Sequence, residues 1–186
     1  NSVQLIGGWE VQVATGDTPG AQWERLRLPG SFSEQHFGAP RLFLRKRFTA
    51  PPATVGRDAV FVLGTVRVAT VRIFLNDALI GMRGEPALEF VGSESGAETY
   101  FVGGQHVREG ENTMLLDVRS MRPGYDGITD PRLLFGSLEV LGPWAFHEQQ
   151  TRAVLERGTL VVLCFLVVLL VALWLLQPER ARRDLY

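Results

Sequence analysis

Asp126 and Asp130, four residues apart in the loop RPGYDGITDP, are the nearest approach in this 186-residue chain to a general acid and a general base. Paired carboxylates protonate a leaving group and activate a water when the fold holds them on either side of a scissile bond. In a loop this rich in Gly and Pro, Asp serves better as a turn former, because its side chain hydrogen-bonds backbone two residues on. The stretch GSESG, Gly92 to Gly96, misses a nucleophile elbow by one residue: Glu94 stands where that motif needs serine, so the stretch reads as a polar surface loop. His36, His106 and His147 have no partner at metal-ligand spacing, which argues against zinc or iron. Cys164 stands alone and allows neither a disulfide nor a thiolate metal site within the chain. No catalytic, metal or cofactor-binding residue is assigned, and no enzymatic activity is expected.

Recognition is the remaining chemistry. Trp9, Trp23, Phe32, Phe37, Tyr100 and Tyr125 are numerous enough to form a carbohydrate platform, but aromatics on short strands fill cores, and Tyr125 is the one in a loop. From Asp77 to Glu111, seven carboxylates face two arginines, a bias that reads as a solvated face able to dock a basic partner. Overall, 19 basic residues balance 20 acidic ones, so nucleic acid is not an expected partner. Lys46 is the one lysine, and the arginine excess reads as the mark of a GC-rich bacterial genome. Arg122, Tyr125, Asp126, Asp130, Trp144 and Phe146 are the candidate partner or ligand contacts, since polar and aromatic groups mix at interface rims.

The elements that must position these residues are short strands. GGWEVQVATGD alternates around Trp9, Val11 and Val13, and RLFLRKRF puts Leu42, Leu44 and Phe48 on one face with Arg45 and Arg47 on the other. AVFVLG, VATVRIFL, NTMLLDV and LLFGSLEV are apolar runs too short for helices. Asn76-Asp77 suits a two-residue hairpin turn because both tolerate positive φ. Eight or so strands, with no helical pattern before Gly142, predict an antiparallel sandwich over residues 1–142. Pro143 opens a helix over 143–157 whose Trp144 and Phe146 pack under the sandwich.

Gly158 to Leu176 carries no charge over nineteen residues, which predicts a transmembrane helix over 158–177 and a tail over 178–186. Leu160, Phe165, Leu169 and Trp174 would be its membrane anchors. Arg180, Arg182 and Arg183 place the tail in the cytoplasm of a bacterial inner membrane and the N-terminal domain in the periplasm. The first residue, Asn1, agrees with removal of an export signal. The span holds no ionisable or haem-ligating side chain and no GxxxG face, so it is expected to pack against lipid and other apolar helices.

WERLRLPGSF, RLFLRKRFTAPP, VFVLGTVRVATVRIFLNDALIG, VREGENTMLLDV and GITDPRLLFGSLEV, in that order, resemble the sugar-binding-like jelly roll of the β-galactosidase and β-glucuronidase family. They are also similar to the related extracellular sensing domain of bacterial seven-helix signalling receptors. The resemblance covers roughly Trp9 to Val140 and implies a galactose-binding-like jelly roll. In the glycosidases two carboxylates come from a separate barrel, so the resemblance implies the fold and not the activity. Where that family usually has Asn-Gly in the hairpin, this chain has Asn76-Asp77. Jelly rolls of this type sometimes hold a structural Ca²⁺, which stays open here although no compact calcium loop is present.

The function expected is that of a non-catalytic single-pass accessory subunit that stabilises a larger bacterial membrane complex. Its partners would be other integral-membrane subunits and the lipid bilayer, in a host such as a photosynthetic reaction centre. The alternative is a carbohydrate- or small-ligand-sensing ectodomain of a signalling receptor, seen as a fragment. Ten residues after Leu176 are too few to fold into an output module, which favours the subunit.

Overall fold

The structure is a computed structural model that describes residues 2–32, 39–84, 97–120 and 126–176. It forms two compact units, Asn1–Pro143 and Trp144–Tyr186. The described strands of the first are, in order, β1 (Ser2–Gln4), β2 (Trp9–Val13), β3 (Glu24–Leu26), β4 (Gly30–Ser31), β5 (Arg41–Thr49), β6 (Ala59–Leu63), β7 (Val66–Arg67), β8 (Thr70–Leu75), β9 (Ala78–Arg83), β10 (Glu98–Val102), β11 (Glu111–Arg119), β12 (Gly127–Ile128) and β13 (Leu133–Ser137). A six-stranded sheet runs β3-β2-β5-β11-β8-β9, a four-stranded sheet runs β1-β13-β6-β10, and β4-β12-β7 make a small third one. Every described pairing is antiparallel.

The two larger sheets enclose the core because their strands alternate. Leu42, Leu44 and Phe48 of β5 point inward with Trp9, Ile73 and Leu116, and meet Phe61, Leu63, Leu133 and Phe135 from the other sheet. Phe48 contacts Phe135 edge to face at 5.1 Å between centroids. The buried Trp9 indole donates to the Leu5 carbonyl at 2.6 Å, so its own N–H is satisfied. Each such large apolar side chain stabilises the fold by roughly 1.5–3 kcal/mol on burial.

The hairpin forms where Asn76-Asp77 predicts it, with φ of 49° and 72° at the two turn residues. β9 and β10, edges of different sheets, meet through Gly81 and Tyr100: a Cβ on Gly81 would sit 2.2 Å from Tyr100 Cδ1. The Tyr100 hydroxyl donates to Glu98 Oε2 at 2.6 Å, and Glu98 Oε1 pairs with Arg83 at 3.1 Å. This polar seam closes one side of the sandwich.

LLFGSLEV is a strand only as far as Ser137, and α1 (Leu138–Leu176) begins at the next residue, earlier than Pro143. Glu139 lies in the first turn, where a carboxylate favours the positive helix end. Pro143 therefore lies inside α1, where it offers no N–H to the Glu139 carbonyl.

The transmembrane expectation for residues 158–177 is corrected: among the described residues, no helix is long and apolar enough to cross a membrane. The inner-membrane placement, periplasmic domain, cytoplasmic tail and bilayer partner derived from that span lose their basis with it. So do the anchoring roles of Leu160, Phe165, Leu169 and Trp174. Phe165, Leu169 and Trp174 are exposed on α1, while the Leu160 side chain and residues 177–186 lie outside the described residues.

Candidate functional site

Asp126 and Asp130 are each engaged by their own partners. Asp126 is buried; its carboxylate accepts from the Ser120 hydroxyl, and its carbonyl accepts from Phe32 N–H at 2.8 Å and Ser31 Oγ at 3.3 Å. It thereby fastens the start of β12 to β4. Asp130 closes an Asx turn by accepting from the Arg132 backbone N–H at 2.8 Å and is gripped by the Arg132 guanidinium, Nε to Oδ2 at 2.8 Å. That hydrogen bond from Arg132 holds the Asp130 carboxyl below the ordinary carboxylate range, against the opposing effect of burial. Asp130 thus forms a turn, whereas Asp126 ties β12 to its neighbours.

The other candidates scatter. Arg122 and Tyr125 lie outside the described residues, as do His36, Phe37 and the Gly92 to Gly96 loop. Trp144 is half-buried and Phe146 is 63% exposed. Trp9 and Phe32 belong to the core, and Tyr100 is half-buried in the β9–β10 seam. Among the described residues no group of three or more His, Cys, Asp or Glu could hold a metal ion.

Trp23 takes a different position from the core role expected of strand aromatics. It borders an open groove of about 630 Å³, lined also by Val11, Gln12, Val13, Thr15 and Gln22. Gln12 Oε1 accepts from Gly20 N–H at 2.7 Å and so holds the rim in place. The Arg45 guanidinium stacks 3.9 Å from the Trp23 ring centroid and pairs with Glu10 at 2.7 Å, fixing the indole from one side. A ring flanked by amides and a hydroxyl is an arrangement that suits small, flat, polar ligands.

Asp117, which the spacing of the sequence did not single out, is held by two arginines. It is 2% exposed, although it lies on the side of β11 away from the core. Arg41 covers it in a fork, Nε to Oδ1 at 2.8 Å and Nη2 to Oδ2 at 3.0 Å, and Arg72 Nε adds a bond to Oδ2 at 2.9 Å. Burial pushes its carboxyl up, but the hydrogen bonds from Arg41 and Arg72 prevail and hold it below the ordinary range. Reciprocally, the bond to Asp117 raises the Arg41 pKa.

No protein-family model matches the chain, and no curated protein matches it. Solved structures do. A β-glucuronidase from an uncultured Clostridium has a TM-score of 0.57 at 16% identity, over 74% of this chain and 29% of that one. A Bifidobacterium dentium β-glucuronidase complexed with coumarin-3-O-glucuronide has 0.51 at 16%, over 64% and 20%. A β-glucuronidase from glycoside hydrolase family 2 has 0.54 at 14%, over 72% and 17%. At these identities the likeness is one of fold, and this chain spans less than a third of each enzyme it matches.

Proposed function

We propose that this chain is a non-catalytic jelly roll of the galactose-binding-like kind, which helps to hold a larger assembly together by packing α1 among apolar helices of its partners. The observation that carries this reading is on α1 itself. Every described side chain from Val161 to Trp174 is exposed, and a helix apolar on all sides requires apolar cover on all sides. At roughly 25 cal/mol per Å² of apolar surface, leaving it in water is strongly unfavourable. The non-catalytic part rests on the likeness, which takes in only a minor share of each glycosidase. Native electrophoresis of extracts from the source cells tests it: the chain should run in a stoichiometric larger complex, linked to it by photo-crosslinkers placed at Leu166 and Leu170. A free monomer with no adducts defeats the proposal.

A second reading makes the sandwich a sensing domain for a carbohydrate or other small ligand, like that of the seven-helix receptors. The groove beside Trp23 favours it. Saturable quenching of tryptophan fluorescence by a small saccharide, lost in Trp23→Ala, is its expected signature; quenching that survives the substitution rules the groove out.

A further inference from the structure

Away from the Trp23 groove, the outer face of the six-stranded sheet is used by neither reading. Two adjacent cross-strand rows lie on it: Arg45, Leu115, Phe74 and Leu79, then Phe43, Asp117, Arg72 and Met82. Leu44, Leu116 and Ile73, which alternate with them along the strands, all belong to the core, so these rows point the other way. A sheet face turned to water normally carries polar side chains. Here Leu79 is 56% and Met82 57% exposed, next to the half-buried Phe74 and Leu115.

The exposure is built into the backbone. The β8–β9 register shifts between Ile73 and Phe74, so that Ile73 meets Gly81 while Phe74 meets Leu79. Ile80 is the extra residue of a bulge. In a regular strand residues three apart face opposite sides, and the bulge brings Leu79 and Met82 to the same side.

Arginines border this strip. Arg45 and Arg72 end or interrupt the two rows, and Arg47 and Arg119 stand exposed on the same face of β5 and β11. The side chains of Arg47 and Arg119 have no hydrogen-bond or ion-pair partner among the described residues. An apolar centre with arginine at its margin is the composition of a protein interface. We propose that this face docks a partner protein whose contact surface presents apolar side chains ringed by carboxylates. An acidic glycan fits less well, because sugars stack on flat aromatic rings and Leu79 and Met82 are aliphatic. A second copy binding through the same face would set arginine against arginine.

The full chain is titrated with a fluorescein-labelled octapeptide of alternating Glu and Leu, with polyglutamate and polygalacturonate as comparisons. The peptide should bind saturably and at least about tenfold more tightly than either polymer. Leu79→Ser with Met82→Ser should weaken it about tenfold, and Arg47→Glu with Arg119→Glu should do the same while flattening the salt dependence. Met82→Ser alone serves if the double variant fails to fold, as judged by its unfolding midpoint. No binding of the peptide, binding indifferent to these substitutions, or equal affinity for polygalacturonate overturns the proposal, the last by making the face a glycan or general anion surface.

Discussion

Asn76 donates through Nδ2 to Oδ1 of Asn112 at 2.7 Å, joining the β8–β9 hairpin to the turn that opens β11. Both amides are saturated. Asn76 also donates to the His106 carbonyl at 2.8 Å and accepts from Thr113 N–H at 2.9 Å. Asn112, fully buried, exchanges bonds with the Arg108 backbone at 2.8 and 2.9 Å. Truncating one amide strands the groups of the other. Asn112→Ala should therefore lower unfolding stability by roughly 3 kcal/mol, since each stranded buried group costs ~1–3 kcal/mol. Urea titration measures this, and a loss below about 1 kcal/mol would mean that the ladder is dispensable.

The neighbouring turn residue predicts the opposite sign. Asp77 holds φ at 72°, a left-handed conformation that glycine adopts without steric cost. Its side chain is exposed. Asp77→Gly completes an Asn-Gly type I′ turn and should stabilise the domain by about 0.5–1 kcal/mol, visible as a raised melting temperature. A lowered melting temperature would show that the Asp77 side chain contributes more than its backbone strain costs.

Asp117 governs the acid side of the stability profile. Its folded pKa lies below the unfolded value of about 3.9, so the stability it confers is present above that pH and is lost as pH falls through the folded pKa. Asp130 acts in the same direction. Asp117→Asn should destabilise the domain near neutral pH, by roughly 2–4 kcal/mol, because two guanidiniums lose their shared carboxylate. As pH falls through the lowered folded pKa, the gap between the variant and the parent should close. Equilibrium unfolding across pH 2 to 7 tests the convergence; a constant gap would point to packing instead of charge.

Period-two alternation places β2 and β5, the short apolar runs place β6, β8 and β11, and the φ tolerance of Asn76-Asp77 places the hairpin. Alternation could not show what lies on the outward side. Phe43 and Asp117 are nearly as buried there as core residues, because Arg41 and Arg72 fold over them, and arginines on a strand read equally well as solvated. The helix start at Leu138 was hidden for a related reason: Leu-Glu-Val after LLFGS fits either period. Glu98, counted in a solvated acidic stretch, turns out to pair with Arg83 and Tyr100 across a seam whose long-range contacts no local pattern encodes.

That seam sets the alkaline limit. Burial, reinforced by the hydrogen bond to the Glu98 carboxylate, pushes the Tyr100 phenol well above its ordinary value. A raised folded pKa confers stability that is complete below about pH 10 and declines as pH rises through and beyond it, because the unfolded chain then loses a proton that the folded chain keeps. Of the three tyrosines, one should resist ionisation at 295 nm until the domain unfolds. Tyr100→Phe should abolish that step and flatten the alkaline decline, at a cost of about 1.5–3 kcal/mol near neutral pH for a bond to a charged acceptor. Gly81→Ala should reach the same group from the other side, since its Cβ would displace the ring and expose the phenol. Should all three tyrosines ionise near pH 10 in the folded parent, burial and Glu98 do not control Tyr100, and the seam contributes packing alone.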